Sequence, residues 1–405
     1  MTRAGYVRRW DRHDIGWDEN SAPMKRIAAL LVAPANSLRE EGGGVQHAAR
    51  QYQNVLQNAG FDLRLFPYEF DRRVRRRITR RLFPSVSSAE FPPNQIEPVI
   101  LALQEHSAKF VFFGFHIDEA LSARIRAVAP TVQQVLLSQG IESIDFCVAQ
   151  RARRPDGCPT NTSRASGMLG QQLLRDSRLR RLIDATMTLS PLEVEMEQWL
   201  GTPRAIWVPQ AIVERPLDHM PIDGRAGCVS TLNHPPNYDG IVRLLDALSL
   251  MNPTGLRFRL VGSPATVGQE LQGRFKFVDF LGPLSDRELR AEAATWCCFV
   301  HPMFLYAKGC STKVAIALGW RLPLATTKFG VRGYEWNSEV LPVSESPAQL
   351  AAEVVKRSSK ENFRGFQGEA ERMVELMPTV GELAARAATF LLNRPENAQP
   401  GETET

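Results

Sequence analysis

The residues with the clearest chemical meaning lie in "GCSTKVAIALGWRLPLATTKFGVRG", from Gly309 to Gly333. Gly309, Ser311 and Thr312 are small or hydroxyl-bearing, and Lys313 adds a positive charge inside the helix that "TKVAIALGW" predicts. A helix start presents unpaired backbone N–H groups and the positive end of its dipole, so the pattern is that of an anion site. The apolar run "CCFVHPMFLYA" before it is the strand that delivers the loop. A plain helix cap with a surface lysine is the competing description of the same residues.

Two other places suit ligand chemistry. Gly42, Gly43 and Gly44 follow a first apolar strand and open a helix, so a ligand can approach their backbone closely; a flexible turn is the alternative. They do not form G-x-G-x-x-G, so a bound dinucleotide is not indicated. His116 ends the strand "KFVFFGFH", and strand ends face ligands in open α/β sheets. There it would serve as a general base or orient a hydroxyl, unless it is a hydrogen-bonded structural residue.

An α/β chain must position these groups. "MKRIAALLVAP", a glycine loop, a helical segment and "FDLRLFPY" make a βαβ unit, and the alternation continues through "KFVFFGF" and "QQVLLS" to "RAIWVPQA". The segment 151–167, "RARRPDGCPTNTSRASG", has no hydrophobic period and reads as a surface loop. A second α/β series starts near 226, with the helix "IVRLLDALSLM" and the strand "RFRLVGS", and 346–392 is helical. The expected organisation is a polar, disordered leader (1–23), an N-terminal domain (24–210), a C-terminal domain (211–375), a helix (376–392) packing back on the first domain, and a disordered tail (393–405). Two such halves, joined near 208–216, imply a cleft between them.

The 405 residues are 43% apolar and 23% charged, enough for two ordinary globular cores. No run of about 18 apolar residues occurs and the N-terminus lacks the apolar core of a secretory signal, so a cytoplasmic protein is expected. Six cysteines show no C-x-x-C pair or histidine spacing, which favours reduced thiols over zinc or a disulfide framework. The net charge is only +5, yet 71–83, "DRRVRRRITRRLF", carries seven arginines between Arg72 and Arg81. Val74, Ile78, Leu82 and Phe83 give that run an apolar face, so peripheral contact with an anionic membrane is one reading and a solvated face the other. No aromatic interleaving or recognised motif supports nucleic-acid binding.

Three stretches carry a family resemblance: "STLNHPPNYDGIVRLLDAL", "FVDFLGPLSDRELRAEAATWCCFVHP" and "GCSTKVAIALGWRLPLATTKFGVRGY". In this order and spacing they resemble the second domain of group 1 GT-B glycosyltransferases, which are retaining and nucleotide-sugar-dependent, and the likeness extends over roughly 24–390. It implies two Rossmann-like domains facing across a cleft, a nucleotide sugar as co-substrate, and neither cofactor nor metal. Donor contacts would fall on Gly309, Ser311, Thr312, Lys313, Asn233, His234 and Leu284, with the loop of Gly42, Gly43 and Gly44 near the diphosphate and acceptor. The acceptor would be a saccharide or a lipid-linked glycan at the inner face of a membrane, in surface-glycan assembly, and the activity that of a hexosyltransferase.

The chain departs from this pattern where the family carries two glutamates and a helix-terminal glycine. Lys308 and Ile316 occupy the glutamate positions and Arg321 the glycine position. The family's basic pair falls on Asn233 and His234, which leaves Lys313, Lys308, Arg332 and a protonated His234 as the cations able to stabilise a departing diphosphate. Lys308 and His116 are the catalytic candidates. The alternatives are an inactive homologue serving as partner subunit or as glycan- or nucleotide-binding module, and a nucleotide-sugar epimerase on the same fold.

Overall fold

The computed structural model describes residues 26–39, 43–70, 91–152, 162–334, 336 and 343–393. Gly42, the arginine run from Arg72 to Arg81, Cys158, the leader 1–23 and nearly all of the expected tail lie outside the described residues.

The first strand, β1 (Ile27–Pro34), shows why its sequence is a continuous apolar run rather than an alternating one. Ala29, Leu31 and Ala33 point into one core while Leu30 and Val32 point into another, so the strand is covered on both faces. It belongs to a six-stranded parallel sheet with β2 (Phe61–Tyr68), β3 (Phe110–Gly114), β4 (Gln133–Leu137), β5 (Ala185–Thr188) and β6 (Ala205–Trp207), in the order β2-β1-β3-β4-β5-β6. The helices of this half are α1 (Gly44–Asn58), α2 (Ile96–Glu105), α3 (Glu119–Val128), α4 (Glu142–Arg151), α5 (Thr162–Arg180) and α6 (Pro191–Trp199).

The second sheet holds β7 (Arg225–Thr231), β8 (Arg257–Ser263), β9 (Val278–Gly282), β10 (Cys298–His301) and β11 (Leu324–Thr326), all parallel, in the order β11-β10-β7-β8-β9. Its helices are α7 (Pro235–Met251), α8 (Ala265–Arg274), α9 (Asp286–Ala293), α10 (Thr312–Gly319), α11 (Pro347–Arg357), α12 (Phe363–Glu375) and α13 (Val380–Leu392). The last helix crosses back: Leu383, Ala384, Ala387 and Leu391 share a core with Ala29, Tyr52, Leu56 and Phe61 of the N-terminal half.

Each sheet reverses its winding once, between β1 and β3 in the first and between β7 and β10 in the second. A reversal opens a crevice at the carboxyl ends of the two strands, which is where open α/β sheets bind ligands. The loops entering these crevices are the glycine loop before α1 and the loop 302–311 before α10.

Two local expectations are corrected. Residues 162–167, read as loop, form the first turns of the 19-residue α5. β6, read over 204–211, has three residues; the Val208 N–H still donates to the Thr188 carbonyl at 2.8 Å before the chain leaves the sheet at Pro209. Arg321, in the glycine position after α10, takes the left-handed conformation at φ 56. That conformation costs a side-chain-bearing residue about 1–2 kcal/mol, and Arg321 offsets part of it by pairing with Glu214 at 2.8 Å and Glu371 at 3.6 Å.

Gly240, in the middle of α7, brings that helix against the start of the 302–311 loop. A Cβ there would stand 1.9 Å from the carbonyl oxygen of Pro302, a backbone atom with no room to yield. Gly240→Ala is therefore expected to lower unfolding free energy by about 1–3 kcal/mol, the range for overpacking a well-filled core. Chemical denaturation measures it, and an unchanged midpoint would contradict the contact.

Candidate functional site

At the end of β10 the chain passes from His301 through the loop to Ser311, the residue capping α10. The Ser311 hydroxyl lies 2.7 Å from His301 Nε2 and makes no bond to the helix it precedes. Its capping capacity is thus diverted, and the Thr312 and Lys313 N–H groups fall in the first turn, where no intrahelical acceptor exists. Tyr334 braces the same turn from behind, accepting the Ala315 N–H at 3.0 Å while donating its hydroxyl to the Ser311 carbonyl.

Lys313 Nζ donates to Ser230 Oγ, at the end of β7, and to Asn237 Oδ1, in the first turn of α7, both at 3.3 Å. Asn237 is held in turn by a bond from its amide to the Thr231 carbonyl at 3.1 Å. Burial holds the Lys313 amine down to about 8, and the charge of Arg332 pushes the same way. Arg332 is itself below its ordinary value through burial; it donates to the Phe329 carbonyl at 3.0 Å, and its Nε has no partner among the described residues. Neither cation forms an ion pair among the described residues.

The start of α1 meets this place from the other domain. Its cap is Gly43, without a side chain to satisfy the helix end, and a Cβ on Gly44 would lie 3.0 Å from Thr312 Oγ1. Two uncapped helix N-termini therefore converge beside Lys313 and Arg332. His234, which caps α7, also belongs to the cluster. Burial, Lys313, Arg332 and Lys308 hold its imidazole below the usual histidine range against an opposing pull from Asp145. Burial and the neighbouring cations thus work against the protonation of His234.

Lys308 is half-buried and ion-paired with Glu142, with Asp145 at 3.9 Å, both on α4 of the opposite domain. Its positive charge is taken up by those carboxylates rather than aimed at α10. His116 follows Phe115, whose φ of 69 turns the chain sharply at the end of β3. Burial, helped by Arg175, holds its imidazole at about 4, so it is a weak base. Asn233 is exposed, and Leu284 packs into the apolar cluster of Trp296 and Val314. Ile316, in the second glutamate position, joins that same cluster.

Sequence reasoning passed over the residue that closes the cleft. Glu193, in the first turn of α6, is fully buried, and its Oε1 accepts the Gly309 N–H at 2.7 Å and the Tyr306 hydroxyl at 3.0 Å. Burial pushes its carboxyl up to about 7, against the pull of those two donors. One turn on, buried Glu197 pairs with Arg180 at 2.8 Å and anchors the helix. The close spacing of Glu193 and Glu197 in "PLEVEMEQW" was the available signal, since two carboxylates on a helix face that becomes buried demand partners. Gly309, at φ 65, lies so near the opposite loop that a Cβ would stand 2.3 Å from the Gln139 carbonyl oxygen.

Among the described residues no group of three or more His, Cys, Asp or Glu is placed to hold a metal ion, and no helix is long and apolar enough to cross a membrane. No protein-family model and no curated protein sequence matches the chain. Solved structures do. An O-GlcNAc transferase variant from Thermobaculum terrenum superposes with a TM-score of 0.54 at 16% identity, over 90% of this chain and 67% of that one. A glycosyltransferase from Rickettsia africae gives 0.58 at 12% identity, over 91% and 100%. A variant of S. aureus TarM, solved with fondaparinux, a GlcNAc-glycerol and UDP, gives 0.52 at 8% identity, over 73% of this chain and 58% of that one. At such identities the likeness is one of architecture: two parallel α/β sheets whose crevices face each other make this chain a protein of the GT-B fold.

Proposed function

We propose that the chain is a glycosyltransferase that takes a sugar from a nucleotide diphosphate and passes it to the hydroxyl of a saccharide or lipid-linked acceptor. One observation carries the reading: Lys313 and Arg332 are partly buried in the same cleft, with no ion-pair partner among the described residues, where the N-termini of α10 and α1 meet. Partly buried like charges beside two positive dipole ends are unfavourable alone and become favourable around a polyanion. A nucleoside diphosphate is the anion that suits a cleft between two Rossmann-like domains.

In the transfer, the bond from the anomeric carbon to the diphosphate oxygen breaks as a bond to the acceptor oxygen forms. The diphosphate leaves with the electron pair, and the acceptor proton follows it. Lys313, Arg332 and the helix N–H groups stabilise the charge that gathers on the leaving group, the role for which preorganised donors are most effective. With two protein cations in that role the reaction needs no metal, and transfer is expected to survive chelation by EDTA. His116, neutral at physiological pH, orients the acceptor hydroxyl by hydrogen bonding.

A second reading, a nucleotide- or glycan-binding module without turnover, is favoured by Ile316 in the apolar core and by the pairing of Lys308 with Glu142. Assays over a panel of UDP, GDP and ADP sugars separate the two: binding with neither transfer nor hydrolysis across acceptors would leave the module. Sugar interconversion without acceptor would point to an epimerase.

Lys313→Ala is expected to weaken nucleoside diphosphate binding by about 1–3 kcal/mol, the range for losing a charge-assisted hydrogen bond. In the intact protein affinity should fall as pH rises through about 8, because the protonated amine is the binding form. Calorimetry between pH 6.5 and 9.5 reads both, and an unchanged affinity would place the phosphates elsewhere. Lys308→Ala should leave that affinity within about threefold and alter stability by less than about 1 kcal/mol, as its ion pair is partly exposed. Loss of binding would instead put Lys308 on the phosphate.

A further inference from the structure

We propose that Glu193 binds a hydroxyl group of the donor sugar, supplying from the N-terminal domain the carboxylate that the 302–311 loop lacks. The inference rests on the reading of the preceding subsection. Glu193 is 0% exposed, yet only Oε1 is engaged, by the Gly309 N–H and the Tyr306 hydroxyl. Oε2 is equally enclosed and has no hydrogen-bond partner among the described residues. An ionised carboxylate oxygen accepts and never donates, so what completes it must bring a hydrogen, and buried acceptors are seldom left without one.

The position of this oxygen identifies the donor group. Glu193 reaches the loop whose next residues cap α10, and it feels the charge of Arg332, the guanidinium that also acts on Lys313. It therefore stands beside the diphosphate site, on the side of Gly309, Tyr306 and Lys308. The group esterified to the terminal phosphate of a sugar nucleotide is a ring bearing several hydroxyls, each a donor. A second rigid acceptor on the loop side fixes the orientation of that ring, which a phosphate clamp alone leaves free to turn.

The ionisation of Glu193 tunes this contact. The charged and titratable groups facing it are Glu197 on its own helix, Tyr52 on α1, Tyr306, Lys308 and Cys310 on the loop, and Arg332. Only the carboxylate form offers Oε2 as an acceptor in full, so the sugar contact strengthens as pH rises through about 7. The diphosphate contact moves the other way above about 8.

The test is the ratio of two dissociation constants, that of the sugar nucleotide over that of its nucleoside diphosphate, measured by calorimetry with UDP, GDP and ADP and their glucose, galactose, mannose and N-acetylglucosamine esters. Glu193→Gln keeps an oxygen for the Gly309 N–H and removes a charge the fold holds unfavourably, so its melting temperature at pH 8 should not fall below that of the parent protein. The variant is expected to raise the ratio at least fivefold for the preferred sugar, with nucleoside diphosphate affinity within twofold. In the parent protein the ratio should fall between pH 6 and pH 8. Nucleoside diphosphate binding with a ratio that neither the substitution nor pH moves would overturn the inference and leave the proposed function standing. Failure of the parent protein to bind any nucleoside diphosphate would overturn both.

Discussion

Two partly buried cations in one cleft, with no ion-pair partner among the described residues, set the terms for the rest of this structure. Lys313 and Arg332 each lose hydration on folding, and each raises the cost of charging the other. The helix ends beside them are of the same sign, so the dipoles add to the strain rather than relieve it. Such a site persists only where the surrounding framework over-determines it. Here the framework is visible: Ser230 and Asn237 hold Lys313, Tyr334 and His301 hold the first turn of α10, and Gly240 lets α7 press on the loop.

The joint between the domains is tied to the same helices. Gln51, on α1, donates to the Pro209 carbonyl and accepts the Ala211 N–H at 2.7 and 2.8 Å, while the Arg215 N–H donates to the Gly319 carbonyl, at the end of α10, at 2.7 Å. One short connection thus grips the body of α1 and the far end of α10, the two helices whose near ends meet at Gly44 and Thr312. Any swing at 208–216 must move those N-termini relative to each other, which gives domain closure a direct effect on the site. The Glu193 to Gly309 bond and the Lys308 to Glu142 pair close the cleft at the opposite edge.

Much of this was legible in the sequence, and the reasons differ by element. β1 and β3 could be read because strands buried on two faces are unbroken apolar runs, here ended by Pro34 and Gly114. α4 escaped notice because Ile144, Phe146, Cys147 and Val148 do not gather on one helical face. The helix start at Thr312 was readable, since small residues and a lysine before an apolar run are a local signal. Glu193 was not: its meaning comes from Gly309, 116 residues away, and from a cleft that only the folded chain creates. The lowered pKa of His234 has the same origin, because its burial and the cations Lys313, Arg332 and Lys308 around it arise only in the folded chain.

The central claim is that the diphosphate of a nucleotide lies at the junction of α10 and α1 between Lys313 and Arg332. A crystal structure with the tightest-binding nucleoside diphosphate tests it most directly. The account predicts phosphate oxygens within about 3.2 Å of Lys313 Nζ and of the N–H groups that open α10, the ordinary reach of a hydrogen bond. A bound nucleotide whose phosphates lie away from that junction would contradict it.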